Sequence, residues 1–234
     1  MGVGQAGPNP ADEPRRRALR DRLNALLPSC KPETVSTLVD SAKLRSVRPG
    51  DSIYAQGEPV PLTLLLEGYG VAQRTTGDGQ EFMSGVAPSG VLFGYSGIAN
   101  TPSSVALLAL TDCEVAQWPG AEFRRLIATD VALGFVAIDS MGASLHDTME
   151  RIEGFLHQDA RRRVLRVLAR HRDLFFGEPP VLTRTQLPGL VGTSREMTRR
   201  VLRQLEAEGT VTRVGRHGIE LLRPERLEAE AQAS

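Results

Sequence analysis

Cysteine is scarce in this sequence of 234 residues, where only Cys30 and Cys113 occur. Two thiols cannot build a disulfide framework or a four-thiolate metal site, so a reduced, cytoplasmic chain is expected. No run approaches the roughly 18 apolar residues that a membrane span needs, so no membrane partner is expected. The Gly- and Pro-rich start has no apolar core, does not read as a signal peptide, and is expected to be a disordered tail over 1–14. Catalytic signatures are missing too. Gly94-Tyr95-Ser96-Gly97 lacks the spacing of a hydrolase elbow. There is no phosphate loop ending in Gly-Lys-Ser/Thr and no His-Glu-x-x-His pair. Glu150 and Glu153 read as a solvated helix face. No catalytic residue and no metal ligand is assigned, and the chain is not read as an enzyme.

Net charge is also missing, because 28 Lys plus Arg balance 28 Asp plus Glu. A zero sum argues mildly against a nucleic-acid partner. It can also conceal two opposite halves. The hydrophobic fraction of 41% excludes wholesale disorder, and the length suits one large domain or two small ones.

The pattern changes along the chain. Residues 15–130 are expected to form a β-roll effector domain with flanking helices. Its helical start carries Arg15 to Arg17, a basic end read as a solvated face. From about 44 to 118, short β-type runs such as Ser52–Tyr54, Leu62–Leu66 and Val105–Leu110 alternate with glycines and prolines. Closely spaced turn signals between short strands indicate a small barrel or roll. Asp78-Gly79 suits a hairpin turn. Cys113 reads as a buried apolar residue.

Residues 131–157 are expected to be one dimerisation helix. Val131, Phe135, Ile138, Leu145, Met149, Ile152 and Leu156 follow steps of four, three, seven, four, three and four. Gly142 fills the skipped position and permits close backbone approach. Such a seam, roughly 39 Å long at 1.5 Å per residue, needs a second seam to pair with. The same helix of a second subunit supplies it in a two-fold homodimer. The expected interface residues are Phe135, Ile138, Gly142, Leu145, Met149 and Ile152.

Asp159 is a good N-cap for a helix over Ala160–His171, and residues 158–234 form the expected DNA-binding domain. Phe175 to Pro180 reads as a turn or short strand. Thr183 and Gln186 have capping-box spacing, and Leu187, Leu190 and Val191 form an apolar face. Gly192 then permits a tight turn, and Thr193 or Ser194 caps the next helix. There Met197, Val201, Leu202 and Leu205 face inward, leaving Arg195, Glu196, Arg199, Arg200 and Arg203 outside. Helix, glycine turn and polar-fronted helix make a helix-turn-helix, whose second helix enters the major groove. Pro188 lies within the first helix, which must start late or bend. Val211–Val214 and Ile219–Leu222 flank Gly215 to Gly218 as a wing.

Arg195 and Arg200 suit guanine and Glu196 suits cytosine N4, so these three are the expected base contacts. Thr183, Arg184, Ser194, Arg199 and Arg216 are the expected backbone contacts, with Arg213 also within reach. The charge follows this division. Residues 158–234 carry net +5 and residues 1–157 net −5. Double-stranded DNA is therefore the expected partner. Two other readings remain: a regulatory module that acts through protein partners, and an architectural protein that binds DNA without sequence preference.

At these residues the chain resembles the CRP/FNR family of bacterial transcription regulators. Gly192-x-Ser194-Arg195-Glu196-x-x-x-Arg200 is similar to the recognition helix of the catabolite-activator type, which implies a palindrome of TGTGA-like half-sites. Arg48-Pro49-Gly50-Asp51, Gln56-Gly57-Glu58, Leu66-x-Gly68, Asp78-Gly79-Gln80-Glu81 and Leu92-Phe93-Gly94 resemble the family's β-roll in order. The resemblance implies an α+β chain: a cyclic-nucleotide-binding-like jelly roll, a long dimerisation helix and a winged helix-turn-helix. RNA polymerase and an unidentified small-molecule effector are further implied partners.

The effector pocket departs from that pattern. The family's nucleotide binders follow Phe-Gly with a ribose-binding Glu, whereas Phe93-Gly94 is followed by Tyr95. Their phosphate-binding Arg and its Ser or Thr neighbour correspond to Ser103 and Ser104. Thr148 and Met149 stand at the adenine-contacting positions, and only the Thr is kept. A buried phosphate without its cation is unfavourable by several kcal/mol. cAMP is not expected as effector, and no cofactor is assigned. One Cys30 cannot supply an iron–sulfur cluster, and His146 and His157 read as surface or hinge histidines rather than haem ligands.

Overall fold

Pro14 and Pro32 each sit in the first turn of a helix, where a missing N–H costs nothing. The computed structural model describes residues 12–79 and 81–232. The first helix, α1, spans Glu13–Leu26 and the second, α2, Pro32–Ser41. Asp12 is the N-cap position of α1 and Glu13 and Pro14 are helical, so these three are not part of a tail; the rest of that expectation, 1–11, lies outside the described residues. The basic end of α1 is folded back. Arg15 hydrogen-bonds to Ser46 and Glu114, and Arg16 to the carbonyls of Val39 and Asp40.

Eight short strands follow: β1 Lys43–Val47, β2 Ser52–Tyr54, β3 Leu62–Glu67, β4 Tyr69–Thr75, β5 Glu81–Pro88, β6 Leu92–Phe93, β7 Ala106–Ala109 and β8 Cys113–Trp118. They form two four-stranded sheets, ordered β1-β8-β3-β6 and β2-β7-β4-β5. The β4–β5 hairpin turns at Asp78-Gly79, where Gly79 has φ +80° and donates to Thr76 O at 2.9 Å. In β3, Leu62, Thr63, Leu64 and Leu65 are all buried, because α1 and α2 cover the face of Leu62 and Leu64 while Leu65 packs against Ile53, Leu107 and Ala109 of the second sheet. The Thr63 hydroxyl is satisfied by Pro61 O at 3.1 Å and Gln117 Nε2 at 3.2 Å. Trp118 is buried with Leu19, Leu23 and Leu38, and its indole N–H donates to Leu38 O at 2.8 Å. Cys113 is buried, and its thiol reaches Tyr69 O and Thr111 O at 3.3 Å.

Two helices complete the α-helical part of this region, α3 at Gly120–Thr129 and α4 at Val131–His157. Between them, the buried Asp130 accepts from Lys31 N at 2.8 Å and Thr34 Oγ1 at 2.7 Å, and from Ala132 N at 3.2 Å. It ties α2 to the start of α4. The Lys31 N–H and the Thr34 hydroxyl hold its carboxyl below the usual aspartate range. A depressed carboxylate stabilises the fold above the unfolded pKa, about 3.9, and that share is lost as pH falls through the folded value. We expect Asp130→Ala to cost about 1–3 kcal/mol at neutral pH, from the donors it strands. The loss should shrink in acid. Denaturant melts of both proteins at pH 7 and pH 3 check this; an equal loss at both would refute the carboxylate's role.

The chain divides into two compact units. One holds residues up to Val71 together with Ala87–Ala143; the other holds Ala72–Val86 and residues from Ser144 onward. In the second unit α5 spans Ala160–Arg170, and the Asp159 side chain caps it by accepting from Arg162 N at 2.8 Å. Next come α6 Arg172–Phe176, α7 Leu187–Val191, α8 Arg195–Ala207, β9 Val211–Val214, β10 Gly218–Leu221 and α9 Pro224–Gln232. The expected turn or strand at Phe175-Phe176 is thus the end of a short helix. Tertiary burial of Phe175 and bonds from Leu174 N and Phe175 N to His171 O hold it. The final helix, α9, was not anticipated. It buries Leu227 and Ala231, one turn apart, and packs on α5. Arg161 donates to Glu208 at 2.8 and 3.0 Å and to Glu230 at 2.7 Å, and Arg226 reaches the same two carboxylates. This network fastens α5 and α9 to the C-terminal end of α8.

Candidate nucleic-acid interface

Gly192 sets the angle between α7 and α8. Its φ is +65°, and an added Cβ would lie 2.4 Å from the Phe155 ring, so both backbone and space require glycine. The first helix of the motif is only five residues long. Pro188 lies in its first turn, so it starts late rather than bending. Thr183 and Gln186 form a turn before it. Gln186 Oε1 accepts from Thr183 N at 3.0 Å and from its hydroxyl at 2.7 Å, while the reciprocal side-chain bond of a capping box is not made. Leu187 and Val191 are buried and Leu190 is half-buried.

Ser194 is the N-cap of α8, accepting from Met197 N at 3.1 Å. The inward face of α8 differs from expectation by one residue. Met197 is 38% exposed, while Thr198 is buried. Thr198, Val201, Leu202 and Leu205 follow the i, i+3, i+4, i+7 stripe. The Thr198 hydroxyl is satisfied by Ser194 O at 3.1 Å, so a polar residue holds a core position that hydrophobicity alone assigned to Met197.

On the outer face, Arg195, Glu196, Arg199, Arg200 and Arg203 are exposed. None of the five has a hydrogen bond or ion pair among the described residues. Two other arginines nearby are engaged. Arg213 grips Glu206 through Nε at 3.1 Å and Nη2 at 2.8 Å, so it braces the wing strand instead of standing free. Arg184 donates its N–H to His217 O at 3.1 Å and a guanidinium N–H to Arg216 O. It holds the wing turn, with further donors left over. Arg216 is exposed at the wing tip.

A groove of about 800 Å³ runs between α8 and the wing. Six arginines line it: Arg184, Arg195, Arg199, Arg203, Arg213 and Arg216, against one carboxylate, Glu196. Of the expected DNA-contacting residues, Arg200, Thr183 and Ser194 are outside this lining. Arg200 continues the row begun by Glu196, one turn further along α8.

The expected effector positions are arranged as follows. In the first unit Gly94 has φ +88°, and an added Cβ would lie 2.3 Å from Pro61 O. Tyr95 is half-buried in a single turn after β6. Burial pushes its phenol pKa up, and its hydroxyl meets the Ser140 side chain on α4. Ser103 is buried, with its hydroxyl turned to its own loop: Val105 O lies at 2.5 Å and Val105 N at 3.3 Å. Ser104 is exposed and Phe93 half-buried. In the second unit, Thr148 bonds Ser144 O at 2.8 Å within α4, and Met149 is exposed.

A β-roll followed by a long helix and a winged helix-turn-helix defines a class of transcription regulators. The cyclic nucleotide-binding domain matches residues 44–130, and the Crp-like helix-turn-helix domain matches residues 162–230. The cAMP-activated global transcriptional regulator Vfr of Pseudomonas aeruginosa is 30% identical over 173 residues, covering 68% of this chain and 79% of that protein. The chain belongs to the CRP/FNR family, whose members are DNA-binding transcription regulators. Solved relatives share the fold. A CRP/FNR regulator from Eubacterium rectale has TM-score 0.73 at 18% identity, over 87% of this chain and 95% of its own. The c-di-GMP responsive regulator CLP of Xanthomonas campestris has TM-score 0.68 at 23% identity, over 82% and 100%. No described helix is long and apolar enough to cross a membrane.

Proposed function

We propose that this chain acts as a homodimer that reads a palindromic operator of TGTGA-like half-sites and does so without cAMP. The carrying observation is the outer face of α8, with five charged side chains that no group in the described fold engages. An exposed arginine is costly in entropy to order, and it is best repaid by a bidentate partner such as guanine. Arg195, Glu196 and Arg200 are assigned to base edges. Arg199 and Arg216 face the groove that phosphates would enter. Ser194 keeps a hydroxyl proton for a phosphate while its oxygen caps α8. Thr183 and Arg184 act mainly as struts, and Arg184 retains donors for a phosphate.

The dimer reading rests on α4. Phe135, Ile138, Leu145, Met149 and Ile152 are all more than 40% exposed along one helix. An apolar stripe of this length needs cover, and the heptad spacing suits an identical helix. An added Cβ at Gly142 would meet nothing within 4 Å, which leaves room for the partner backbone. Independence from cAMP rests on Ser103 and Tyr95, which offer a hydroxyl each where a cation and a carboxylate are needed.

A binding selection from random duplexes, run on purified protein with and without cAMP, tests the whole reading. The expected product is a palindrome whose half-site centres lie about 34 Å apart, unchanged by cAMP. Enrichment without symmetry would favour an architectural role. Micromolar cAMP binding in a calorimeter would overturn the effector reading.

A further inference from the structure

A second cavity, about 440 Å³, lies wholly within the second unit. Met83–Val86 of β5, the C-terminal half of α4, α5 and the end of α7 line it. Its size falls in the range of small-ligand pockets. Its wall is unusual in that arginines face inward. Arg151 is half-buried, and its Nη1 lies 3.3 Å from where a Cβ on Gly85 would be, so the bare glycine makes room for the guanidinium. No hydrogen bond or ion pair engages Arg151 among the described residues. Burial lowers its pKa most, the nearby Asp147 carboxylate offsets part of this, and Arg170 adds to it. Arg166 is exposed at the mouth and likewise unpaired. Arg163 lies 5.6 Å over the Phe155 ring and donates through Nη1 to Gln158 O at 2.7 Å, while its buried Nε has no partner among the described residues.

Three carboxylates and a histidine also line the cavity. Asp147 pairs with Arg170, and Glu150 lies 3.6 Å from His146. His171 is held neutral, its pKa pushed down to about 4 by burial and then by Arg170. Glu153 is an exposed acceptor on the rim.

From this geometry we propose that the cavity binds a small nucleotide carrying two negative phosphate charges. Arg151 and Arg166 each ask for one charge, and a guanidinium fork matches phosphate oxygens. The Phe155 face with Arg163 offers a stacking surface for a base. Glu153 can accept from a ribose hydroxyl or a base amino group. A cyclic mononucleotide, with one charge, matches only half of this cation set. Two charges can come from the phosphates of a nucleoside diphosphate or from the two diesters of a cyclic dinucleotide.

Calorimetry on the full chain without DNA, using ADP, cyclic di-GMP and cAMP as probes, separates these sources and does not depend on the operator reading. We expect one doubly charged probe to bind once per chain, more tightly than cAMP. Arg151→Met should weaken it about tenfold or more, and so should Arg166→Ala, whose exposed site leaves folding untouched. Failure of both ADP and cyclic di-GMP to bind at millimolar concentration would overturn the proposal. So would binding that survives both substitutions. A loss confined to DNA affinity, with a smaller salt dependence, would also overturn it and assign these arginines to the DNA backbone.

Discussion

Replacing Ile138 and Leu145 together with glutamate should turn the protein into a monomer and lower its affinity for a palindromic operator by at least about a hundredfold. Both side chains are exposed, at 63% and 60%, on α4, so neither holds a core position in its own chain. Helix content and the melting of an isolated subunit should therefore change little. In a paired seam each glutamate would place a charge against an apolar surface and against its own symmetry mate. That cost is several kcal/mol when no counter-charge is available. The affinity loss follows from geometry. One reading head on one half-site forfeits the effective concentration that a tethered second head provides. Sedimentation gives the oligomeric state, and a gel shift on full and half operators gives the affinity. A variant that remains dimeric would show that another surface joins the subunits.

The second large effect is expected from Arg195→Ala. This arginine lines the groove beside the wing, is exposed, and makes no bond within the described fold. Its removal should leave stability unchanged and cost about 1–3 kcal/mol in operator binding, with relaxed preference at one base pair. Random duplex should lose much less. Equal losses on both would make Arg195 a phosphate contact. Arg213→Ala is the informative contrast, because it breaks a grip on Glu206 inside the fold. It should loosen the wing and reduce affinity for all sequences alike.

Much of this was legible beforehand because it depends on local chemistry. The Asp159 and Ser194 caps, the glycine turn at Gly192 and the α4 repeat are short-range features. Each can be read from a few residues, and the structure contains each of them. The winged hairpin is similarly local, since Gly215 turns β9 directly into β10. The misreadings occur where a contact made only in the folded chain decides. Thr198 takes the inward position expected of Met197 because a backbone carbonyl one turn earlier satisfies its hydroxyl. Arg184 and Arg213 look free as letters, yet they spend part of their donors on the wing turn and on Glu206. Helix α9 is too short and too charged to announce itself, and it forms because α5 covers Leu227 and Ala231.

The cavity around Arg151 illustrates the same division. Gly85 is far along the chain from Arg151 and Arg163, and no motif joins them. Only when β5 passes beside α4 does the missing side chain at Gly85 leave space for a guanidinium. By itself the sequence determined the family, the order of its parts and the split of charge, +5 over residues 158–234 and −5 over the rest. These depend on periodicity, caps and composition, which act over one or two turns of chain. The tertiary structure alone decided which of those charges are free. Pairing depends on side chains that folding brings within about 3 Å, and only an unpaired charge remains available to DNA or to a ligand.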